Sequence, residues 1–167
     1  PFLAANIYMA DNESEHYVKP YTILDKKIDG KNIKIGLVGF IPPQTMRWGK
    51  DNLEGNVVIK DIVPTAKKII PEVREKADIV LVLSHSGITS APVDSYDARE
   101  NASYYVAQID GVDAMITGHH HNIFPDDYKD LEGVNPEEGT VFGVPTVMPG
   151  SWASSVGVID LTLEEDN

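Results

Sequence analysis

The chain has 167 residues, the length of one ordinary domain, and its 42% hydrophobic and 24% charged composition excludes a disordered tail or a low-complexity scaffold. Its 26 acidic residues against 14 Lys plus Arg give a net charge of -12, which repels polyanions and excludes a nucleic-acid polymer as the expected partner; an anionic substrate would need a local positive centre such as bound metal. The absence of Cys removes disulfides, thiolate catalysis and Cys-based metal sites, leaving His, Asp, Glu and Asn as possible ligands.

The chain opens at Pro1-Phe2-Leu3-Ala4-Ala5-Asn6, which reads as the inside of a strand, so a fragment or processed product is expected. No apolar run approaches the ~20 residues of a membrane span. Tyr21 to Ile28 leans towards strand, Asp29-Gly30 signals a turn, and Ile33 to Phe40 alternates before running apolar, which predicts a hairpin. Pro42-Pro43 ends that strand, and Gln44 to Asn56 reads as a loop carrying Trp48. A helix capped by Asp61 is expected to run to about Lys76, with Ile62, Ala66, Ile69, Ile70 and Val73 on one face. Pro64 is harmless in the first turn, whereas Pro71 predicts a kink or break near Ile70.

Ile79 to Leu83 is a continuous apolar run, the pattern of a strand covered on both faces. After it comes Ser84-His85-Ser86-Gly87, a polar loop from Ile88 to Glu100, and a predicted helix over Asn101 to Gln108. Val112 to Thr117 forms the next strand and stops at Gly118-His119-His120-His121-Asn122. Beyond an acidic loop, Val141 to Met148 and Val156 to Leu163 read as two more strands, joined through Pro149-Gly150-Ser151-Trp152. With helices alternating with strands in the middle and hairpin-like pairs at both ends, the expected class is layered α/β with mixed sheets.

The chemistry concentrates at two strand ends. Ligands in open α/β sheets bind beyond the carboxyl ends of strands, and four of the five histidines, His85, His119, His120 and His121, fall in the two loops that leave predicted buried strands. Imidazole is a common metal ligand, and residues two apart in extended backbone project to one side, so His119 and His121 are expected to address one site while His120 points elsewhere. Taken singly, a strand-end His such as His85 is more often a surface or hydrogen-bonded structural residue than a ligand; the two loops together favour metal ligation. For Asn101 the leading expectation is a helix cap, with contact to a metal-ligating His as the sharper alternative. Tyr104, Tyr105, Phe124 and Trp152 read as packing residues or as the lining of a substrate channel, and the acidic loop from Asp126 to Glu138 as a solvated loop lacking the pattern of a calcium site.

The string Leu83-Ser84-His85-Ser86-Gly87 followed by Gly118-His119-His120-His121 resembles the paired His motifs of calcineurin-like dinuclear metallophosphoesterases in their 5'-nucleotidase branch. Glu100 to Tyr105, Asp110 to Ala114, His121 to Pro125, Val147 to Trp152 and Gly157 to Leu161 narrow the resemblance to bacterial 2',3'-cyclic-nucleotide 2'-phosphodiesterase/3'-nucleotidases. The resemblance implies an α/β/β/α sandwich and a nucleotide substrate, with two divalent metal ions drawn from Mn, Zn, Fe, Co or Mg. His85 and His119 would bind one metal and His121 the other, with Asn101 and Asn122 as possible outer contacts. It also implies a periplasmic or cell-envelope location. The family's Asp-x-His and Gly-Asn-His motifs do not occur, and His16 reads as a surface turn. Residues 1–167 are therefore expected to be the carboxyl-terminal half of a metallophosphoesterase domain whose upstream half completes the site, with no complete catalytic set of their own. The alternatives are a 5'-nucleotidase or nucleotide-sugar hydrolase of the same superfamily, and a metal-binding fragment without catalytic competence.

Overall fold

A computed structural model describes residues 2–164. In chain order the strands and helices are β1 (Ile7–Met9), β2 (Tyr21–Ile28), β3 (Lys31–Phe40), α1 (Thr45–Trp48), α2 (Lys50–Leu53), β4 (Val57–Ile59), α3 (Ile62–Arg74), β5 (Ile79–Ser84), α4 (Tyr96–Glu100), α5 (Ser103–Val106), β6 (Ala114–Thr117), β7 (Ile123–Phe124), β8 (Val134–Asn135), β9 (Thr140–Val141) and β10 (Val144–Pro149). A 3-10 turn at Asp126–Tyr128 interrupts the acidic loop.

The main sheet has eight strands in the order β2-β3-β5-β6-β10-β9-β8, with β7 pairing β10 from off that path. The expected hairpin forms with Tyr21 opposite Val38 and Ile28 opposite Lys31, closed by Asp29 and Gly30 at positive φ. Strands β3, β5, β6 and β10 run parallel, and β2, β7 and β9 are antiparallel to their neighbours. The sheet is thus mixed, as the α/β reading requires. The four parallel strands carry their carboxyl ends to one edge, where the loops bearing Trp48, His85, His119 to His121, and Trp152 emerge.

On α3, Ile62, Thr65, Ala66, Ile69, Ile70 and Val73 are buried, a helical stripe that covers one face of β3 and β5. The helix lies so close to β3 that a Cβ at Gly36 would collide with Val73 Cγ1. It runs unbroken through Pro71, contrary to the expected kink. Pro71 and Lys67 are both on the solvent side, where water can satisfy the carbonyl that loses its amide partner. Asp61 precedes the helix without capping it through its side chain, because that carboxylate accepts from Arg99 Nε at 2.8 Å.

Other elements differ from expectation for local reasons. The 44–56 loop contains two single helical turns, α1 and α2. The predicted helix over Asn101 to Gln108 is two short pieces: Ser95 caps α4 by accepting from the Ala98 amide, and α5 starts after Ala102. Asn101 closes α4 instead of capping the next helix, and its Nδ2 donates to Asp97 Oδ1 at 2.8 Å. In the opening stretch, Pro1 lies outside the described residues, Leu3 makes a single bridge to Lys19, and the first strand begins at Ile7. Residues 156–163 form no strand and pair with no neighbour among the described residues; Ile159 and Leu161 instead lie over an apolar hollow of about 230 Å³ with Ile35, Leu81 and Ile116. That hollow is on the sheet face opposite α3, where Leu81 and Leu83 are half-buried and Ile116 is exposed. Strand β5 is therefore fully covered on one face only, not on both.

Candidate metal centre

Local sequence fixes the first histidine. His85 follows the last residue of β5, and its amide donates to Phe40 O at 2.9 Å, so the ladder with β3 extends one step past the strand. Behind it the loop is stitched to the α4–α5 junction. Ser86 Oγ donates to Glu100 O and accepts from the Ala102 amide, each at 2.7 Å, while Ser103 Oγ donates to Ser86 O at 2.8 Å. Gly87 is required here, because a Cβ would lie 2.5 Å from Asn101 Oδ1 and 2.6 Å from the His120 ring.

The second loop leaves β6 and is gripped again by β10, through the pairing of Ile123 with Pro149 and a bond from the Gly150 amide to Asn122 O at 3.0 Å. His119 and His121 both sit in left-handed backbone, at φ 71° and 60°. The alternation expected of an extended segment is therefore not what separates the three rings. Two positive-φ residues flanking His120 turn it inward, where its Nδ1 lies 3.0 Å from the Tyr128 hydroxyl. Asn122 Nδ2 donates to the same hydroxyl at 3.2 Å. Burial pushes the His120 pKa below the ordinary imidazole value, with the neighbouring His119 adding to the shift, and burial raises that of Tyr128.

The structure brings His85 and His119 together, with ring centres 5.5 Å apart and the rings edge-on. Desolvation lowers the pKa of His85, and the nearby imidazoles of His119 and His121 lower it further, which keeps the ring neutral and able to donate a lone pair. With a metal–nitrogen bond of about 2.0–2.1 Å, two imidazoles on one tetrahedral cation place their ring centres roughly 5 Å apart. The observed spacing suits such a pair. Among the described residues, however, no three His, Asp or Glu side chains converge as a complete metal site would. His121 is exposed beside Trp152, at 6.4 Å between ring centres, while Asn101 and Asn122 form no hydrogen bond to His85, His119 or His121. His16 is remote in kind: it bridges Tyr8 through the backbone and packs its ring on that residue.

Two participants escaped the sequence reading. Trp48, 53% exposed, stacks on His119 with ring centres 5.3 Å apart and planes 26° from parallel. Glu100 Oε1 lies 2.8 Å from His119 Nε2. Nothing in the spacing of either residue signals this, since both contacts depend on loops from different parallel strands meeting at one edge; the only hint was that Glu100 opens a stretch of the resemblance.

No family model matches the chain. Over 173 residues it is 42% identical to the 2',3'-cyclic-nucleotide 2'-phosphodiesterase/3'-nucleotidase of Salmonella typhimurium, a match that takes in 100% of this chain and 26% of that protein. The crystal structure of the calcineurin-like phosphoesterase YfkN from Bacillus subtilis superposes with a TM-score of 0.82 at 39% identity, covering 91% of this chain and 47% of that one. A 5'-nucleotidase of Vibrio vulnificus is further away, 27% identical over 96% of this chain and 30% of its own length. The chain thus spans about a quarter of the Salmonella relative. Sequence and fold point the same way: the chain is similar to the calcineurin-like phosphoesterase YfkN and to the 2',3'-cyclic-nucleotide 2'-phosphodiesterase/3'-nucleotidases, and less similar to the 5'-nucleotidase.

Proposed function

We propose that this chain supplies part of the centre of a metal-dependent phosphoesterase that hydrolyses 2',3'-cyclic nucleotides and 3'-nucleotides. The observation that carries the reading is the meeting of His85 and His119, from the carboxyl ends of two adjacent parallel strands, at 5.5 Å between ring centres. His85 and His119 would hold one divalent cation and His121 a second. Such cations, when bound, polarise phosphoryl oxygens and lower the pKa of water. They also provide the local positive charge that a chain of net charge -12 needs before it can hold a phosphate.

The chain's own groups hold and shield. The network through Ser86, Ala102 and Ser103 keeps the His85 loop at the strand end, so little ordering cost falls on ligand binding. His120, turned into Tyr128, braces the loop from behind. Trp48 covers one face of His119, and Trp152, 92% exposed, stands beside His121; their indoles bound the histidines with apolar surface that can exclude water from one side of a nucleotide. Opening a 2',3'-cyclic phosphate at the 2' oxygen leaves a 3'-nucleotide, itself a phosphate ester that the same centre can take as its next substrate.

The test is substrate profiling of the full-length gene product with Mn²⁺ or Zn²⁺. Release of phosphate from 3'-AMP and ring opening of 2',3'-cyclic AMP, both lost in His119→Ala, are expected. Hydrolysis of 5'-AMP without 3'-AMP would move the protein to the 5'-nucleotidases, and inactivity with every divalent metal would overturn the enzyme reading.

A further inference from the structure

One carboxylate stands among the histidines without a part in the scheme above. Glu100 ends α4 with its Oε1 2.8 Å from His119 Nε2, and the two side chains are only 22% and 18% exposed. Its placement is over-determined. The Glu100 carbonyl accepts from Ser86 Oγ, that same Oγ accepts from the Ala102 amide, and the Ser103 amide donates to Gly87 O at 3.1 Å. The residues that follow His85 in the loop after β5 thus fix the backbone at Glu100, and Glu100 in turn holds the ring of His119 in the loop after β6. No Lys or Arg among the described residues pairs with this carboxylate, since its neighbour Arg99 is taken by Asp61.

An ionised carboxylate can only accept, so the proton between the two groups belongs to His119 Nε2. The lone pair then lies on Nδ1, which makes no hydrogen bond among the described residues. We infer that Glu100 is a positioning residue: it fixes His119 as the Nε2–H tautomer and leaves Nδ1 as the nitrogen presented to a cation shared with His85. The inference rests on the metal-site reading above. An imidazole free to rotate and to exchange tautomers must be ordered when metal arrives; a carboxylate partner removes that cost beforehand and makes the ring a stronger donor.

Two measurements on the full-length gene product test it. Nitrogen-15 NMR of the metal-free, histidine-labelled protein, with the ring assigned through His119→Gln, reads the tautomer without any change at Glu100; Nε2–H is expected. Calorimetric titration with Zn²⁺ alone then compares wild type, Glu100→Gln and Glu100→Ala. Glu100→Ala is expected to weaken Zn²⁺ binding by about 10- to 100-fold, and Glu100→Gln, which keeps a carbonyl acceptor for Nε2–H, to recover most of that loss. An Nδ1–H tautomer in the wild type, or Glu100→Ala binding Zn²⁺ within twofold of wild type, overturns the role. So does a Glu100→Gln loss equal to that of Glu100→Ala with the tautomer unchanged, which would make Glu100 a ligand in its own right. If His85→Ala and His119→Ala leave Zn²⁺ affinity unaltered, the metal-site reading falls and takes this role with it, even where the tautomer is Nε2–H.

Discussion

Ser86→Ala isolates the loop network that sets the candidate centre. Ser86 and Ala102 are both fully buried, and the Ser86 hydroxyl is at once the acceptor for the Ala102 amide and the donor to Glu100 O, each bond 2.7 Å long. Alanine removes one oxygen, so no cavity of consequence forms, but the Ala102 N–H loses its partner where water cannot replace it. A buried donor left unsatisfied costs about 1–3 kcal/mol, and the bond lost to the Glu100 carbonyl about 1 kcal/mol more. The expected destabilisation is therefore about 2–4 kcal/mol, a fall in melting temperature on the order of 10 °C for a chain of this size. Urea denaturation at unchanged m-value reads the total. Native-state hydrogen exchange at the Ala102 amide reads the local effect, and it should exchange faster than in wild type by more than the amides of β5. The exposed Ser90→Ala, with no such bonds, should stay within about 0.5 kcal/mol of wild type. A Ser86→Ala midpoint indistinguishable from that of Ser90→Ala would refute the claim that this hydroxyl holds the two loops together.

Gly87→Ala drives a Cβ to 2.5 Å from Asn101 Oδ1 and 2.6 Å from the His120 ring, so about 1–3 kcal/mol of overpacking is expected in thermal unfolding, relieved in part by His120→Ala in the same chain. Asp113 accepts from the buried Val80 amide at 2.6 Å and pairs with Arg74 Nη2 at 2.7 Å; Asp113→Ala should cost about 2–3 kcal/mol in urea, whereas Asp113→Asn, which still accepts from Val80, should cost about 1 kcal/mol or less. Metal content after dialysis should fall in His119→Ala and His121→Ala but far less in His120→Ala, whose ring faces Tyr128; equal losses would contradict the inward turn of that ring. The metal-free protein should lose stability as pH falls from about 7.5 through 6.5 and below. Burial lowers the pKa of His16, and of His85 and His120, beneath the unfolded value of 6.5, so the unfolded chain binds protons first and the gain at neutral pH disappears on acidification. His16→Gln should flatten that slope in melts recorded across the range.

How much of this was legible in the sequence follows from what each feature depends on. The hairpin at Asp29-Gly30, the stripe on α3 and the strands β5 and β6 rest on local periodicity and turn chemistry, and they form where that chemistry places them. Pro71 misleads because its penalty depends on whether the orphaned carbonyl reaches water, a property of the face on which it falls and not of the residue. Residues 156–163 carry a strand's composition without a strand's hydrogen-bonding neighbour, and composition cannot supply one. At the candidate centre, the two His-bearing loops could be picked out because each ends a recognisable buried-type strand, and parallel pairing of β5 with β6 then brings those ends together. Extended alternation does not describe His120: left-handed backbone at His119 and His121 turns its ring to Tyr128, and that ring still lies 6.2 Å from the ring of His119. Trp48 could not be read at all, and Glu100 only as the first residue of a resembling stretch, because a contact between loops of different parallel strands leaves no period or spacing along the chain. What made Glu100 visible is the density of hydrogen bonds that Ser86 and Ser103, small hydroxyl residues with no signal of their own, draw between the end of β5 and the end of α4. A strand end bearing a ligand-type histidine needs such hydroxyls nearby, since the loop that carries it has left the ladder and must satisfy its buried backbone groups by side chains.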